Sequence, residues 1–265
     1  MNCIFCKMDS QNSKSVEHII PESLWNTKQI LPAGIVCDKC NNYFSRKVEK
    51  PFLCSPDMKA LRFHQAIPSK KGKIPSVEGM VSGSESPIKA HRSLDRDDVA
   101  MFLELDKEQI ELVMEGKSTA LYLPKGFEKP TVKEASRFLA KVALEAMAQR
   151  LIGSKGGIEY IVSEEQFDPI RNHARRGHPK DWSYVSRRIY CENEDRRLFG
   201  HRGQIVHEYD FLQTDWGEIY FVLVLFGVEM TINIGGPSIE GYEKWLNENN
   251  NKSPLYSGKN EFCQE

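Results

Sequence analysis

The sequence predicts an α+β protein in which a small cysteine-rich N-terminal module precedes a larger α+β domain. Four of the seven cysteines fall within the first forty residues, as two close pairs. Between residues 135 and 147, apolar side chains recur at helical spacing, which predicts one long helix. Beyond residue 184, four segments rich in Val, Ile, Tyr and Phe are separated by glycine or polar turns, which is typical of an antiparallel meander.

The composition is that of an ordinary globular protein, with 40% hydrophobic and 28% charged residues. Its longest apolar run, residues 219–228, is far shorter than the roughly 20 residues needed to span a bilayer, so we expect no membrane partner. The N-terminus lacks the basic and apolar regions of a secretory signal, which favours a reducing, cytoplasmic location. A formal net charge of −1 gives no global signal for nucleic acid, so any such contact must use local basic patches.

The first cysteines form two Cys-x2-Cys pairs, Cys3 with Cys6 and Cys37 with Cys40. Each pair can offer two thiolates to one tetrahedral Zn(II) ion, whereas a disulfide is disfavoured in a reducing compartment. Four thiolates fill the coordination shell, so the predicted zinc is structural. A module this small buries little apolar surface, and we expect the metal to supply much of its folding free energy.

The segment between the two pairs contains SVEHIIP at residues 15–21, and the second pair continues as CNNYF at residues 40–44. With the cysteine pairs, these motifs resemble the HNH endonucleases of the ββα-metal, or His-Me finger, group in their four-cysteine form, over residues 1–55. The resemblance implies that Glu17 binds a divalent ion, that His18 activates water, and that Asn41 completes the metal site. It implies a zinc-stapled ββα-metal module, followed here by a larger α+β domain.

The residue chemistry agrees with these roles. Adjacent residues of a strand point to opposite faces, so His18 can face the scissile phosphate while Glu17 reaches the ion from the side. Histidine is the side chain whose unperturbed pKa lies near neutrality, which suits a general base. A Mg(II) or Mn(II) ion on Glu17 and Asn41 oxygens would polarise the phosphoryl group and stabilise the departing 3′ oxygen.

The motif departs from the commonest family pattern at one position. Many HNH proteins have a middle asparagine about five residues before the second cysteine pair, where this chain has Pro32. That asparagine often orients the loop and the catalytic histidine, and Asn26 is a candidate substitute. Each site residue also has an ordinary structural interpretation: His18 as a core histidine, Glu17 as a surface charge, and Asn41 as a helix cap.

The predicted organisation is a nuclease module at residues 1–60, a connecting irregular or α+β segment at 61–130, and an α+β domain at 131–250. Residues 68–87 are rich in Gly, Ser, Pro and Lys, so we expect an exposed connection or irregular hairpin there. Capping patterns predict one helix from Thr131 to about Gly153 and a second from Ser163 to Arg176. The predicted strands cover residues 184–190, 204–211, 218–226 and 229–234.

The larger domain is expected to serve DNA binding, oligomerisation or regulation, through a homo-oligomer or a regulatory partner. Its best candidate for phosphate contact is the basic end of the second helix, with Arg171, Arg175, Arg176 and Lys180. A surface salt-bridge network is an equally good account of these charges. A second basic stretch runs from Arg62 to Lys73.

The sequence therefore predicts a DNA endonuclease that uses a divalent ion and a structural zinc. The alternatives are a non-catalytic zinc-ribbon adaptor for nucleic acid or protein, and an RNA nuclease with a different substrate groove. The helix-plus-meander arrangement also resembles companion domains that follow four-cysteine HNH modules in bacterial proteins, which implies a role in antiviral defence or in a mobile element.

Overall fold

The computed structural model describes residues 1–69, 71–95, 98–124, 133–190, 196–198, 201–203 and 207–256. The chain forms two compact units. The first comprises Met1–Glu22, Asn26–Phe52 and Glu128–Glu265, and the second comprises Ser23–Trp25 and Leu53–Phe127. Helices and antiparallel sheets occur together, which confirms the predicted α+β class. Among the described residues, no helix has both the length and the apolar character needed to cross a membrane.

The N-terminal segment has the strand–strand–helix order that the family resemblance implied. Strands β1 (Glu17–His18) and β2 (Ile30–Leu31) pair antiparallel, with Glu17 opposite Leu31 and His18 opposite Ile30. Helix α1 (Asp38–Phe44) follows, and its path continues through a π-helical turn (Ser45–Glu49) into the short helix α2 (Lys50–Leu53).

The second unit contains a four-stranded antiparallel sheet in the order β5-β4-β3-β6. Its elements are α3 (Pro56–His64), β3 (Val77–Val81), β4 (Ile88–Asp95), β5 (Asp98–Glu104), α4 (Lys107–Met114) and β6 (Leu121–Tyr122). The sequence predicted an exposed connection or an irregular hairpin over residues 68–87. Strand β3 lies in this range and pairs antiparallel with β4, so the alternative of an exposed connection was wrong for it. This strand is short and contains Gly79, where a Cβ atom would lie 2.5 Å from the carbonyl oxygen of Tyr122. Glycine is needed there for the close approach of β6. Because glycine is uncommon inside strands, it also makes this strand difficult to predict from the sequence.

The remaining elements form an antiparallel sheet with helices. They are α5 (Glu134–Leu151), α6 (Gly157–Ser163), α7 (Asp168–Arg176), β7 (Tyr184–Arg188), the hairpin β8 (Arg196–Leu198) and β9 (His201–Gly203), β10 (His207–Gln213), β11 (Ile219–Leu225), β12 (Val228–Asn233) and α8 (Glu240–Glu248). The sheet order is β10-β11-β12-β7. The predicted meander is confirmed for its last three strands. Strand β7, which comes before them in the sequence, pairs with the other edge of β12.

The helix boundaries differ from the prediction in two places. The long helix begins at Glu134, and the predicted first residue, Thr131, lies outside the described residues. The second predicted helix was expected to begin at Ser163, but this residue is the last of α6. Helix α7 starts five residues later, at Asp168, with Pro169 in its first turn. Proline is favoured there since its missing N–H has no partner within a first turn. Gly177, at φ 69°, ends α7 as expected.

Helix α5 forms the centre of the first unit. It packs against α7, against the sheet strands β11 and β12, and against the N-terminal segment through β2 and the π-helical turn. Its side chains are buried on nearly every face, including Phe138, Val142 and Leu144. Phe52 stacks on Phe138 with ring centroids 4.2 Å apart, which joins α2 to α5.

Candidate functional site

The four paired cysteines come together at the N-terminus. The sulfur atoms of Cys3, Cys6, Cys37 and Cys40 all lie within 4.8 Å of one another, and all four are free thiols. Cys6 Sγ and Cys37 Sγ are 3.6 Å apart. Tetrahedral zinc with Zn–S bonds of about 2.3 Å places its sulfur ligands about 3.8 Å apart. The four sulfur atoms are therefore close enough together to hold one zinc ion.

Backbone hydrogen bonds hold both cysteine pairs in the conformation that the cluster needs. The first pair turns at Lys7, whose N–H donates to the Cys3 carbonyl at 2.9 Å. The backbone N–H of Cys37 donates to Cys3 Sγ at 3.3 Å, and that of Cys40 donates to Cys37 Sγ at 3.4 Å. A hydrogen bond from the Cys40 thiol lowers the pKa of Cys3 to about 5, whereas the same contact raises the pKa of Cys40 and burial raises that of Cys6. The two backbone N–H donors stabilise thiolate charge on Cys3 and Cys37, and the thiolate is the form that binds zinc.

Strand β1 places the two motif residues on opposite faces. Glu17 is 5% exposed, whereas His18 is partly exposed. The His18 Nδ1 atom lies 3.2 Å from the carbonyl oxygen of Asn26. A carbonyl only accepts hydrogen bonds, so Nδ1 carries the proton and Nε2 is left as the basic nitrogen. The histidine is thus held in the tautomer that can take a proton from water.

Asn26 is the candidate substitute for the family's middle asparagine, whose position Pro32 occupies here. The Asn26 side chain forms hydrogen bonds within its own loop. Its side chain is 1% exposed. The amide nitrogen donates to the carbonyls of Ile20 and Gln29 at 2.7 and 2.9 Å, and the amide oxygen accepts from the N–H groups of Lys28 and Gln29 at 3.2 and 2.8 Å. The side chain therefore fixes the loop, and the backbone carbonyl of the same residue orients His18.

Asn41 lies beside the strand that carries Glu17 and His18. Its side-chain nitrogen donates to the carbonyl oxygen of Val16 at 2.9 Å. In the same helix, Asp38 accepts hydrogen bonds from the N–H groups of Lys14 and Ser15 at 3.1 and 2.9 Å. The first turn of α1 thus holds the residues that lead into β1, and brings the predicted metal ligand Asn41 to the motif.

Comparison with known families agrees with this geometry. Residues 3–55 match the family model of the HNH endonucleases. Residues 3–55 are therefore called the HNH segment below. Neither the curated proteins nor the solved structures contain a significant match to the chain.

The carboxylate of Glu17 in the HNH segment contacts a lysine that the sequence analysis did not identify. The Nζ atom of Lys141, in α5, is 2.7 Å from Glu17 Oε1, 2.6 Å from Glu49 Oε1 and 2.9 Å from Glu145 Oε2. Burial raises the pKa of Glu17 despite the nearby ammonium, and raises that of the fully buried Glu145 well above its usual range. The other oxygen of Glu17, Oε2, is buried and has no hydrogen-bond partner among the described residues.

One sequence signal could have identified the buried Lys141–Glu145 pair of this cluster. Lys141 and Glu145 are spaced i,i+4 within KVALEAMA, where the other residues are apolar or alanine. A helix that is apolar nearly all round is buried, so its charged residues must be paired inside the fold.

The predicted basic helix end divides into buried and exposed residues. The guanidinium of Arg171 lies inside the fold, where it donates to the carbonyls of Ile4 and Ile161 at 2.7 and 2.5 Å and pairs with Asp168. A phosphate contact therefore does not fit Arg171, whose side chain instead joins α7 to the HNH segment. Arg175 is partly exposed, and Arg176 and Lys180 are exposed.

The second basic stretch lies in the other unit. Arg62 is 6% exposed, Lys71 and Lys73 are exposed, and Lys70 lies outside the described residues.

A cavity of about 770 Å³ lies between α5, α6 and the sheet, and contains none of the predicted site residues. Aromatic side chains from three elements line it, with Tyr160, Phe211 and Trp216 among them. The chemistry of the HNH motif is therefore not located in this cavity.

Proposed function

We propose that this chain is a metal-dependent endonuclease that hydrolyses DNA phosphodiester bonds. The observation that carries this proposal is the His18 ring, held through Nδ1 by the Asn26 carbonyl, with Nε2 left to accept a proton. In the proposed reaction, Nε2 takes a proton from water as the water oxygen bonds to phosphorus and the 3′ P–O bond breaks.

The proposed divalent ion would take its protein ligands from residues beside His18. Glu17 Oε2 is a buried oxygen without a hydrogen-bond partner among the described residues. The nitrogen of the Asn41 side chain is used by Val16, which leaves its oxygen as the ligand atom. Oxygen ligands suit Mg(II) and Mn(II), and an ion there would stabilise the charge that develops on the phosphoryl and leaving oxygens. Glu17 and Asn41 would hold it.

The test of the proposal is cleavage of two substrates with and without a chelator. Zinc-loaded protein is incubated with supercoiled plasmid and with RNA, in Mg(II) or Mn(II), each with and without EDTA. Cleavage of plasmid that EDTA prevents supports the DNA endonuclease, whereas cleavage of RNA alone assigns the RNA substrate. Binding of either nucleic acid with no cleavage would contradict the proposal and favour the zinc-ribbon adaptor.

We further propose that Arg175, Arg176 and Lys180 contact DNA phosphates, and we leave Arg171 out because its guanidinium is buried. Arginine forks match phosphate oxygens, and such contacts position the duplex without reading its sequence. Residues 131–250 would then provide DNA affinity, and an oligomer or regulatory partner would use other parts of the same region. A cytoplasmic role in defence against foreign DNA is consistent with this activity.

Replacing Arg175, Arg176 and Lys180 together with alanine should weaken DNA binding and flatten its salt dependence. Each phosphate contact contributes roughly 0.9 to the slope of log affinity against log salt concentration, so the slope should fall by about 2 to 3. Fluorescence anisotropy with labelled duplex across a salt series measures it. The control replaces the exposed Lys107, Lys117 and Lys155, which removes the same charge elsewhere. Equal slopes in the two triple variants would contradict the assignment.

Asn26→Ala should lower the cleavage rate by about 100-fold, because displacing a reacting group by about 1 Å lowers the rate by about that factor. The variant keeps the backbone carbonyl of residue 26. It loses the side-chain hydrogen bonds that position this carbonyl against His18 Nδ1. Single-turnover cleavage measures the effect, with zinc content and circular dichroism as folding checks. Asn42→Ala, at an exposed neighbour of Asn41, is the control. A variant that melts earlier but cuts at the wild-type rate would show that Asn26 serves stability alone.

A further inference from the structure

Lys141 is a fully buried cation at the centre of α5. Its ammonium group lies within 2.9 Å of three carboxylates, from Glu17, Glu49 and Glu145. The ammonium donates a hydrogen bond to Glu17 Oε1, whereas its contacts with Glu49 and Glu145 are ion pairs. Glu17 and Glu49 belong to the HNH segment, and the π-helical turn Ser45–Glu49 places the second of them at the ammonium. Such turns occur frequently at functional sites.

Stability alone does not account for this arrangement. Removing an ammonium from water costs several kcal/mol, and replacing a buried ion network with apolar residues is often neutral or stabilising. The neighbouring residues of α5, Val142, Ala143 and Leu144, are fully buried and apolar. The packing of α5 therefore does not require a charge at position 141, and the groups that the ammonium neutralises are the three carboxylates, two of them in the HNH segment.

The ammonium contacts both residues of the Glu-His motif. It pairs with Glu17 Oε1, and it lies 3.4 Å from the carbonyl oxygen of His18. Asn26 holds the ring of the same histidine. With Oε1 paired, Glu17 keeps only Oε2 for another ligand, and this atom is buried and has no hydrogen-bond partner among the described residues.

We propose that Lys141 is a positioning residue of the HNH site, whose ammonium holds Glu17 so that Oε2 is presented to the divalent ion. This inference rests on the proposed function. Without the ammonium, three buried carboxylates would lie together with no cation between them. Buried carboxylates without a cation repel one another or take up a proton, and either change would remove the ionised Oε2 of Glu17 from the position in which it reaches the ion.

The experiment measures Mn(II) binding to the full, zinc-loaded chain by electron paramagnetic resonance of free Mn(II), without turnover. Lys141→Met keeps the length of the side chain and removes its charge. Its affinity for Mn(II) should fall about 10- to 100-fold, which is the usual effect of losing a partner that orients a metal ligand. Glu17→Gln should abolish the same site, and Lys141→Met in that background should change nothing further.

Arg171→Met is the matched control, because it removes another buried cation that joins the HNH segment to a helix of the same unit. It should leave Mn(II) affinity near the wild-type value. If Lys141→Met does not fold, Lys141→Met/Glu145→Gln removes one charge of each sign and should show the same loss.

Three results would overturn the inference. An unchanged or higher Mn(II) affinity in a folded Lys141 variant would refute it while leaving the proposed function intact, and so would an equal loss in Arg171→Met. A wild-type chain that binds no Mn(II) at Glu17 would refute the proposed metal site and this inference together.

Discussion

His18→Ala should lower the rate of plasmid cleavage by about 10²- to 10⁴-fold, the usual contribution of a general base. Alanine cannot take the proton from water, while Glu17, Asn41 and the zinc cluster stay in place. DNA affinity should change little, because the histidine is proposed to act on water and not on the duplex. Single-turnover cleavage of supercoiled plasmid at saturating protein measures the chemical step, and anisotropy measures binding.

The control for this prediction is His64→Ala, a histidine of the other unit whose ring bonds to the Pro124 carbonyl. It should cut at the wild-type rate. Zinc content and thermal unfolding of His18→Ala should also match the wild type. If His18→Ala still cuts at the wild-type rate in Mg(II) or Mn(II), another group must activate water, and His18 is a structural residue on β1.

The residues of the HNH segment could be predicted because their signals are local. Both Cys-x2-Cys pairs and the Glu17-His18 motif are short, and a zinc cluster demands this spacing whatever the rest of the chain does. The observed cluster and the β1–β2–α1 order agree with that prediction. Asn26 could also be named from the sequence as a candidate substitute for the middle asparagine, since the loop offers few side chains that can bond to its own backbone.

Lys141 could not be predicted as a neighbour of Glu17, because 124 residues separate them. Their contact depends on how α5 packs against β2 and the π-helical turn, and no local pattern encodes that packing. The prediction of a phosphate contact at Arg171 was wrong for a related reason. In the sequence, Arg171 and Arg176 are two arginines of the same predicted helix, and nothing distinguishes them. The packing of α7 against the HNH segment buries Arg171 and leaves Arg176 exposed. Strand β3 of the second unit was not predicted, because it is only five residues long and contains Gly79.

Cys37→Ser should unfold the HNH segment and destabilise α5 with it. A serine hydroxyl binds zinc poorly, and structural zinc contributes about 10–16 kcal/mol in zinc-finger peptides. This exceeds or matches the roughly 5–15 kcal/mol by which whole domains are stable. The effect should spread, because unfolding of the segment leaves Lys141 without two of its three carboxylates and Phe138 without its stacking partner Phe52. Hydrogen exchange should report lost protection in residues 3–52 and in α5.

Cys54→Ser separates the loss of zinc from the loss of a thiol, since Cys54 is an exposed cysteine outside the four-sulfur cluster. It should keep one zinc per chain, full protection and wild-type melting. Treatment of the wild type with a chelator should reproduce Cys37→Ser, because both remove the same metal. Two results would contradict the expectation: a zinc-free chain with a protected HNH segment, or loss of that segment with α5 fully protected. The second would mean that the buried contacts of Lys141 and Arg171 contribute little to holding the two parts together.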